Sequence, residues 1–236
     1  MMRRMLFAAV MIAALTPFIE AQSFESGSAP VPPSYCKPCL FYGGDFSPKA
    51  AKANGLFNGY SEVAQGQVYV PFTVPTGRTW TVTGAFVNVL TGAASLYPAS
   101  TPWSIWTGLS QGQAGTQVGG CRNNATMTPT GREGLGYKEY TVLIHFSSSC
   151  YVKLTTGTYW LNILPQDLVN YSLFYLSDVE VEPAPHQWGP LEPADQSFAT
   201  SGSFGTYFTP AAGTDFGGCA GAGCDRFSVG VIGTSN

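Results

Sequence analysis

The sequence predicts an all-β fold: an antiparallel β-sandwich of jelly-roll type, stapled by disulfides. Three observations predict it. Short runs rich in Val, Thr and aromatic residues alternate apolar with polar side chains, and Gly, Pro, Asn and Asp clusters separate them. Past the N-terminal segment, no long stretch carries a helical period with caps. Six cysteines, an even number, sit in a chain whose beginning reads as an export signal.

Residues 1–21 place Arg3 and Arg4 ahead of an apolar run at 6–15 (LFAAVMIAAL), with Pro17 breaking it and Ala21 offering a small residue for cleavage. The run is shorter than the roughly 20 residues a membrane-spanning helix needs. Residues 22–35, rich in Ser, Pro and Gly, read as a flexible leader, and 36–236 as a single β-sandwich domain. The expected location is secreted or periplasmic. No later apolar stretch reaches spanning length and no cysteine sits at the cleavage site, so no membrane insertion or lipid anchor is expected after cleavage.

Strands are expected in order. Residues 67–74 (QVYVPFTV) alternate and end at the turn Pro75-Thr76-Gly77. Residues 78–90 form the longest candidate, with Trp80, Val82, Phe86 and Leu90 on one apolar face. Further candidates are 103–107 (WSIWT), 138–146 with Tyr140, Val142, Ile144 and Phe146 on one side, 150–155, 157–164, 171–177 and 226–233. Two long stretches, 107–137 and 182–207, lack strand alternation and read as irregular loops, the kind that carry function.

Charged residues make up only 11%, and loss of Arg3, Arg4 and Glu20 with the signal takes the formal charge from −3 to −4. That balance gives nucleic acid or an anionic membrane no electrostatic reason to bind. In an oxidising compartment the Cys36-Lys37-Pro38-Cys39 motif reads as a staple rather than a redox or zinc site, there being no second C-x-x-C at zinc spacing. The sequence-local pairing is Cys36–Cys39, Cys121–Cys150 and Cys219–Cys224, with bridges between the N-terminal and C-terminal pairs as the rival.

The stretch Leu40-Phe41-Tyr42-Gly43-Gly44-Asp45-Phe46, followed by Ala53-Asn54-Gly55-Leu56, resembles the start of a family of exported bacterial β-sandwich proteins of the choice-of-anchor, exosortase-sorted type. So do Pro71-Phe72-Thr73-Val74-Pro75, Thr79-Trp80-Thr81-Val82-Thr83-Gly84, Gly157-Thr158-Tyr159-Trp160-Leu161 and the closing Gly223-Cys224-Asp225-Arg226-Phe227-Ser228-Val229-Gly230-Val231-Ile232-Gly233. The resemblance implies an envelope or matrix protein and assigns no catalytic residue. The anchored members end in a sorting tail that this sequence lacks, which favours release over retention.

Candidate chemistry is sparse. There are two histidines: His145 on a strand, opposite its apolar face, and His186 in the loop Pro185-His186-Gln187-Trp188. His186 could serve as a base beside a nearby acid. Trp188, among Pro and Gly, is the preferred sugar-stacking platform. Trp106 is a second candidate, since it stands three residues from Trp103 and so faces the other way, while Trp80 reads as core. Asp178, Glu180 and Glu182 alternate in SDVEVE. They form either a charged strand edge, the preferred reading, or the donors of a structural calcium; no other cofactor is implied. The expected function is a non-catalytic, secreted protein of the envelope or extracellular matrix with weak glycan binding. A secreted hydrolase acting on a polysaccharide or ester, and a purely structural or adhesive subunit, are the alternatives.

Overall fold

The computed structural model describes residues 33–46, 66–134, 136–179, 186–190, 197–202, 205–211 and 226–236. The signal segment, most of the leader, Glu180, Glu182, Cys219 and Cys224 lie outside the described residues.

One strand organises the rest. Residues 67–74 and 78–90 are two halves of a single 25-residue strand, β2 (Gln67–Thr91). The expected turn between them is a bulge in which Gly77, at φ 76°, lets the chain continue instead of reversing. The other strands among the described residues, in chain order, are β1 (Cys39–Tyr42), β3 (Ser100–Thr107), β4 (Thr116–Gly134), β5 (Tyr137–His145), β6 (Val152–Ile163), β7 (Phe174–Leu176), β8 (Phe198–Ser201), β9 (Thr206–Pro210) and β10 (Val229–Ser235). All pairings between these strands are antiparallel.

The ladder runs β1-β10-β2-β5-β4-β3-β6, and β6 pairs with β2 again. Strands β2, β5, β4, β3 and β6 therefore close a five-stranded barrel, with the remaining strands attached to β2 and its neighbours. The sequence led us to expect two facing sheets of a jelly roll. A strand long enough to bend and pair along both of its ends closes the sheet on itself instead.

The barrel interior holds Phe72, Trp80, Val87, Ile105, Val142 and Leu161, each almost wholly buried. Phe72 lies parallel to Trp80 at 6.1 Å, and Trp103 stacks on Phe146 at 3.6 Å. Full burial of each such ring stabilises the fold by about 1.5–3 kcal/mol. The face expected from Trp80, Val82, Phe86 and Leu90 does not survive intact. Against β10, Val82 faces Gly233 and Gly84 faces Ile232, so Thr83 is an extra residue. That bulge flips the alternation. Trp80, Val82, Ala85 and Val87 enter the barrel core, while Phe86 joins Tyr42 and Ile232 in a separate cluster on the outer side. Phe86 fits there because residue 230 is glycine: a Cβ would run into the Phe86 ring.

The stretch 107–137 was expected as an irregular loop but holds β4, a 19-residue strand with no buried residue. Its side chains alternate only between exposed and half-buried, so no apolar stripe marks it in sequence. It is a strand because β3 and β5 flank it on both sides and because Cys121–Cys150 ties it to the short 3-10 turn Ser148–Cys150. Within 182–207, residues 198–201 are β8 and 206–207 begin β9, another place where the sequence suggested a loop. The local disulfide pairing is present for Cys36–Cys39 and Cys121–Cys150.

Candidate functional site

The site begins with a second bulge, in β4. Pro129 faces Tyr140 and Glu133 faces Lys138, so Thr130, Gly131 and Arg132 together oppose the single residue Glu139. Gly131, at φ 85°, makes that geometry accessible. The consequence is that Thr130 and Arg132 both turn toward Glu139. Thr130 Oγ1 and Arg132 Nε each donate to Glu139 Oε2 at 2.6 Å. Glu139 is fully buried, and its Oε1 has no hydrogen-bond partner among the described residues.

Arg132 reaches further. Its Nη1 donates to Asp45 Oδ2 at 2.9 Å. Burial alone would lower the Arg132 pKa, but the charges of Glu139 and Asp45 outweigh it and hold the guanidinium charged, above its ordinary value. Asp45 follows β1 and is fixed from two sides. The Tyr42 hydroxyl donates to Oδ1 at 2.7 Å, and His186 Nδ1 donates to Oδ2 at 2.7 Å. Segment 186–190 is docked against β1 by a two-way backbone bridge between Tyr42 and Trp188, 2.9 Å each way. His186 itself sits at φ 59°, a left-handed conformation that costs a non-glycine residue about 1–3 kcal/mol and tends to occur at functional sites.

Behind Asp45 the polar chain continues into the interior. Asn88 Nδ2 donates to the Tyr42 hydroxyl at 3.1 Å and to Ser228 Oγ at 2.8 Å, and Thr141 Oγ1 donates to Asn88 Oδ1 at 2.7 Å. Ser228 in turn donates to the Gly44 carbonyl at 2.5 Å. Burial, with the neighbouring Tyr35 and Asp45, pushes the Tyr42 hydroxyl well above its ordinary pKa, so it stays a neutral donor. Tyr42→Phe is expected to cost about 1–3 kcal/mol, because Asp45 and Asn88 each lose a buried partner. A urea-denaturation shift that small apolar controls do not show would verify it; an unchanged midpoint would contradict it.

A cleft of about 450 Å³ opens over this row, lined by Ser34, Tyr35, Asp45, Thr128, Arg132 and His186 among others. The carboxylates do not face it as free groups. Both Asp45 oxygens and Glu139 Oε2 are already satisfied internally. What the cleft does present is the half-exposed imidazole of His186, whose Nδ1 is committed to Asp45. Since the carboxylate accepts, Nδ1 carries a proton, and this tautomer of the imidazole leaves Nε2 bare.

The other sequence candidates fall elsewhere. Trp188 is 40% exposed, donates its indole N–H to the Cys39 carbonyl, and does not line the cleft. Trp106 belongs to a distinct aromatic cluster with Tyr69 and Phe208, its indole N–H donating to Ser104. Asp178 is 3% exposed and bridges Phe227 through its backbone, so it is not part of a solvated charged edge. Its two partners in the alternating row, Glu180 and Glu182, lie outside the described residues. Among the described residues no three His, Cys, Asp or Glu side chains gather as a metal site. His145 is exposed at the end of β5, away from the cleft lining.

The sequence reading missed Tyr42, Asp45, Asn88, Arg132, Glu139, Thr141 and Ser228. The available signal was polar residues interrupting apolar strands, as in Phe86-Val87-Asn88-Val89-Leu90 and Phe227-Ser228-Val229. Buried polar residues need partners, and these partner one another. Compared with protein-family models, curated proteins and solved structures, the chain matches none.

Proposed function

We propose that this is an exported, disulfide-stapled β-barrel protein whose cleft binds a small hydroxyl-rich ligand of glycan type. The observation that carries the reading is the convergence of planar polar groups, His186 and Arg132, with Tyr35, Ser34 and Thr128 around one concavity on a rigid barrel. Planar hydrogen-bonding side chains beside an aromatic ring suit sugar hydroxyls and the apolar face of a sugar ring. The two disulfides fit an oxidising compartment, as the N-terminal signal segment and the resemblance to exported envelope proteins also suggest. The site favoured here is the His186 cleft and not the Trp188 ring.

Titration calorimetry of the disulfide-intact protein against neutral and O-acetylated oligosaccharides tests this. His186→Ala and Tyr35→Ala should each weaken binding at least about tenfold, while Trp188→Ala should leave it unchanged. A panel that stays blank, or binding lost only in Trp188→Ala, would reject the cleft as the site. Intact mass of the exported form, beginning at or close to Gln22, tests the export reading.

A further inference from the structure

The groups that line the cleft support more than retention of a ligand. We propose that the cleft hydrolyses an acyl ester borne by a hydroxyl-rich ligand, with His186 as the base that activates water. The proposal rests on the binding reading above and extends it to a reaction.

The first argument is orientation. Asp45 accepts from His186 Nδ1 at 2.7 Å and is itself immobilised by Tyr42 at 2.7 Å and Arg132 at 2.9 Å. A base must be aimed and in the correct tautomer, and this arrangement supplies both. The imidazole lines the cleft with half of its side chain exposed, so a water on Nε2 meets a bound ligand. The residue also holds a left-handed backbone at φ 59°.

The second argument is the reaction class. Glycosidic hydrolysis requires two carboxyl groups flanking the bond, one of them to protonate the leaving oxygen. Here Asp45 is saturated by three donors and Glu139 is fully buried, so neither can reach a glycosidic oxygen. Amide cleavage asks for a stronger push on the leaving amine. An ester asks least: one base, and positive charge near the carbonyl oxygen. Arg132, which lines the same cleft, offers a guanidinium donor there: Nε and Nη1 are held by Glu139 and Asp45, and Nη2 has no hydrogen-bond partner among the described residues.

The step balances without a co-reactant. Nε2 takes a proton from water as the water oxygen bonds to the ester carbonyl carbon. The carbon–oxygen bond to the alcohol then breaks, and the proton on Nε2 passes to the departing alkoxide. One ester and one water become one carboxylic acid and one alcohol. Asp45 acts as a positioning residue.

The experiment measures acetate release by NMR from an O-acetylated xylo-oligosaccharide, with the disulfide-intact protein and the calorimetric binding assay run in parallel. His186→Ala should lower turnover by about 100-fold or more, and His145→Ala, which alters the exposed histidine on β5, should not. Asp45→Asn should lower kcat, with KM little changed, and alter the pH profile while the protein stays folded by circular dichroism. Binding without acetate release overturns the catalytic step and leaves the binding reading standing; neither binding nor release overturns both. Loss of turnover in Ser34→Ala with an acyl-enzyme mass adduct overturns direct attack by water.

Discussion

Arg132→Met is expected to destabilise the protein by about 3–5 kcal/mol, more than its half-exposed position suggests. The cost arises at Glu139. That carboxylate is wholly buried, and Arg132 and Thr130 are its hydrogen-bonding partners on one oxygen. Removing the guanidinium strands a charge in the interior without removing the charge itself. Arg132→Met combined with Glu139→Leu should recover much of the loss, since a buried ion pair exchanged for apolar groups is often close to neutral. Guanidinium denaturation of both variants decides the matter. A single-mutant cost under about 1 kcal/mol would mean that Glu139 is stabilised by something other than this pair.

Cys121→Ala/Cys150→Ala is expected to cost roughly 3–4 kcal/mol, from closure of a loop with a sequence separation of 29. The same relation gives only about 1.5 kcal/mol for the Cys36–Cys39 pair, whose separation is 3. The larger effect has a specific location. β4 buries no residue, so its hold on β3 and β5 depends on backbone bonds and this tether more than on packing. Amide exchange should rise first along β4 and β3, with β2 and β6 protected. Equal losses from the two disulfides, or uniform exchange, would refute the reasoning.

How much of this was visible in the sequence depends on what each residue had to do. Strands that bury an apolar face were legible: β5 and β10 fall close to their alternating runs, while β6 joins into one strand the runs 150–155 and 157–164 that were expected as two. β4 was not, because Gly, Asn and Thr residues form a strand there only once neighbours supply the ladder. Barrel closure was hidden too. It depends on β2 continuing through Pro75-Thr76-Gly77, residues that by local chemistry predict a reversal. The site was the least legible part. His186 stood out as a rare titratable residue, but its acid, Asp45, lies 141 positions away, and the bulge that brings Arg132 to Glu139 is a matter of register. The text from Leu40 to Phe46 and around Phe227-Ser228, read as structural strand and turn sequence, supplies Tyr42, Asp45 and Ser228 to the network.

The pairing of β1 with β10 also sets an order of assembly. Cys39 faces Ile232, and Gly43, just before Asp45, is held by the Val229 carbonyl, so the first described strand meets its partner after every other strand has arrived. A chain emerging N-terminus first brings Cys36 and Cys39 together at once. It can build the β2, β5 and β6 ladder as those strands appear, but it cannot yet seat Asp45. The cleft is thus the last thing completed, and a chain interrupted before residue 229 has a barrel in progress and no seat for Asp45. On the binding reading proposed above, a complete cleft therefore requires synthesis to have passed residue 229.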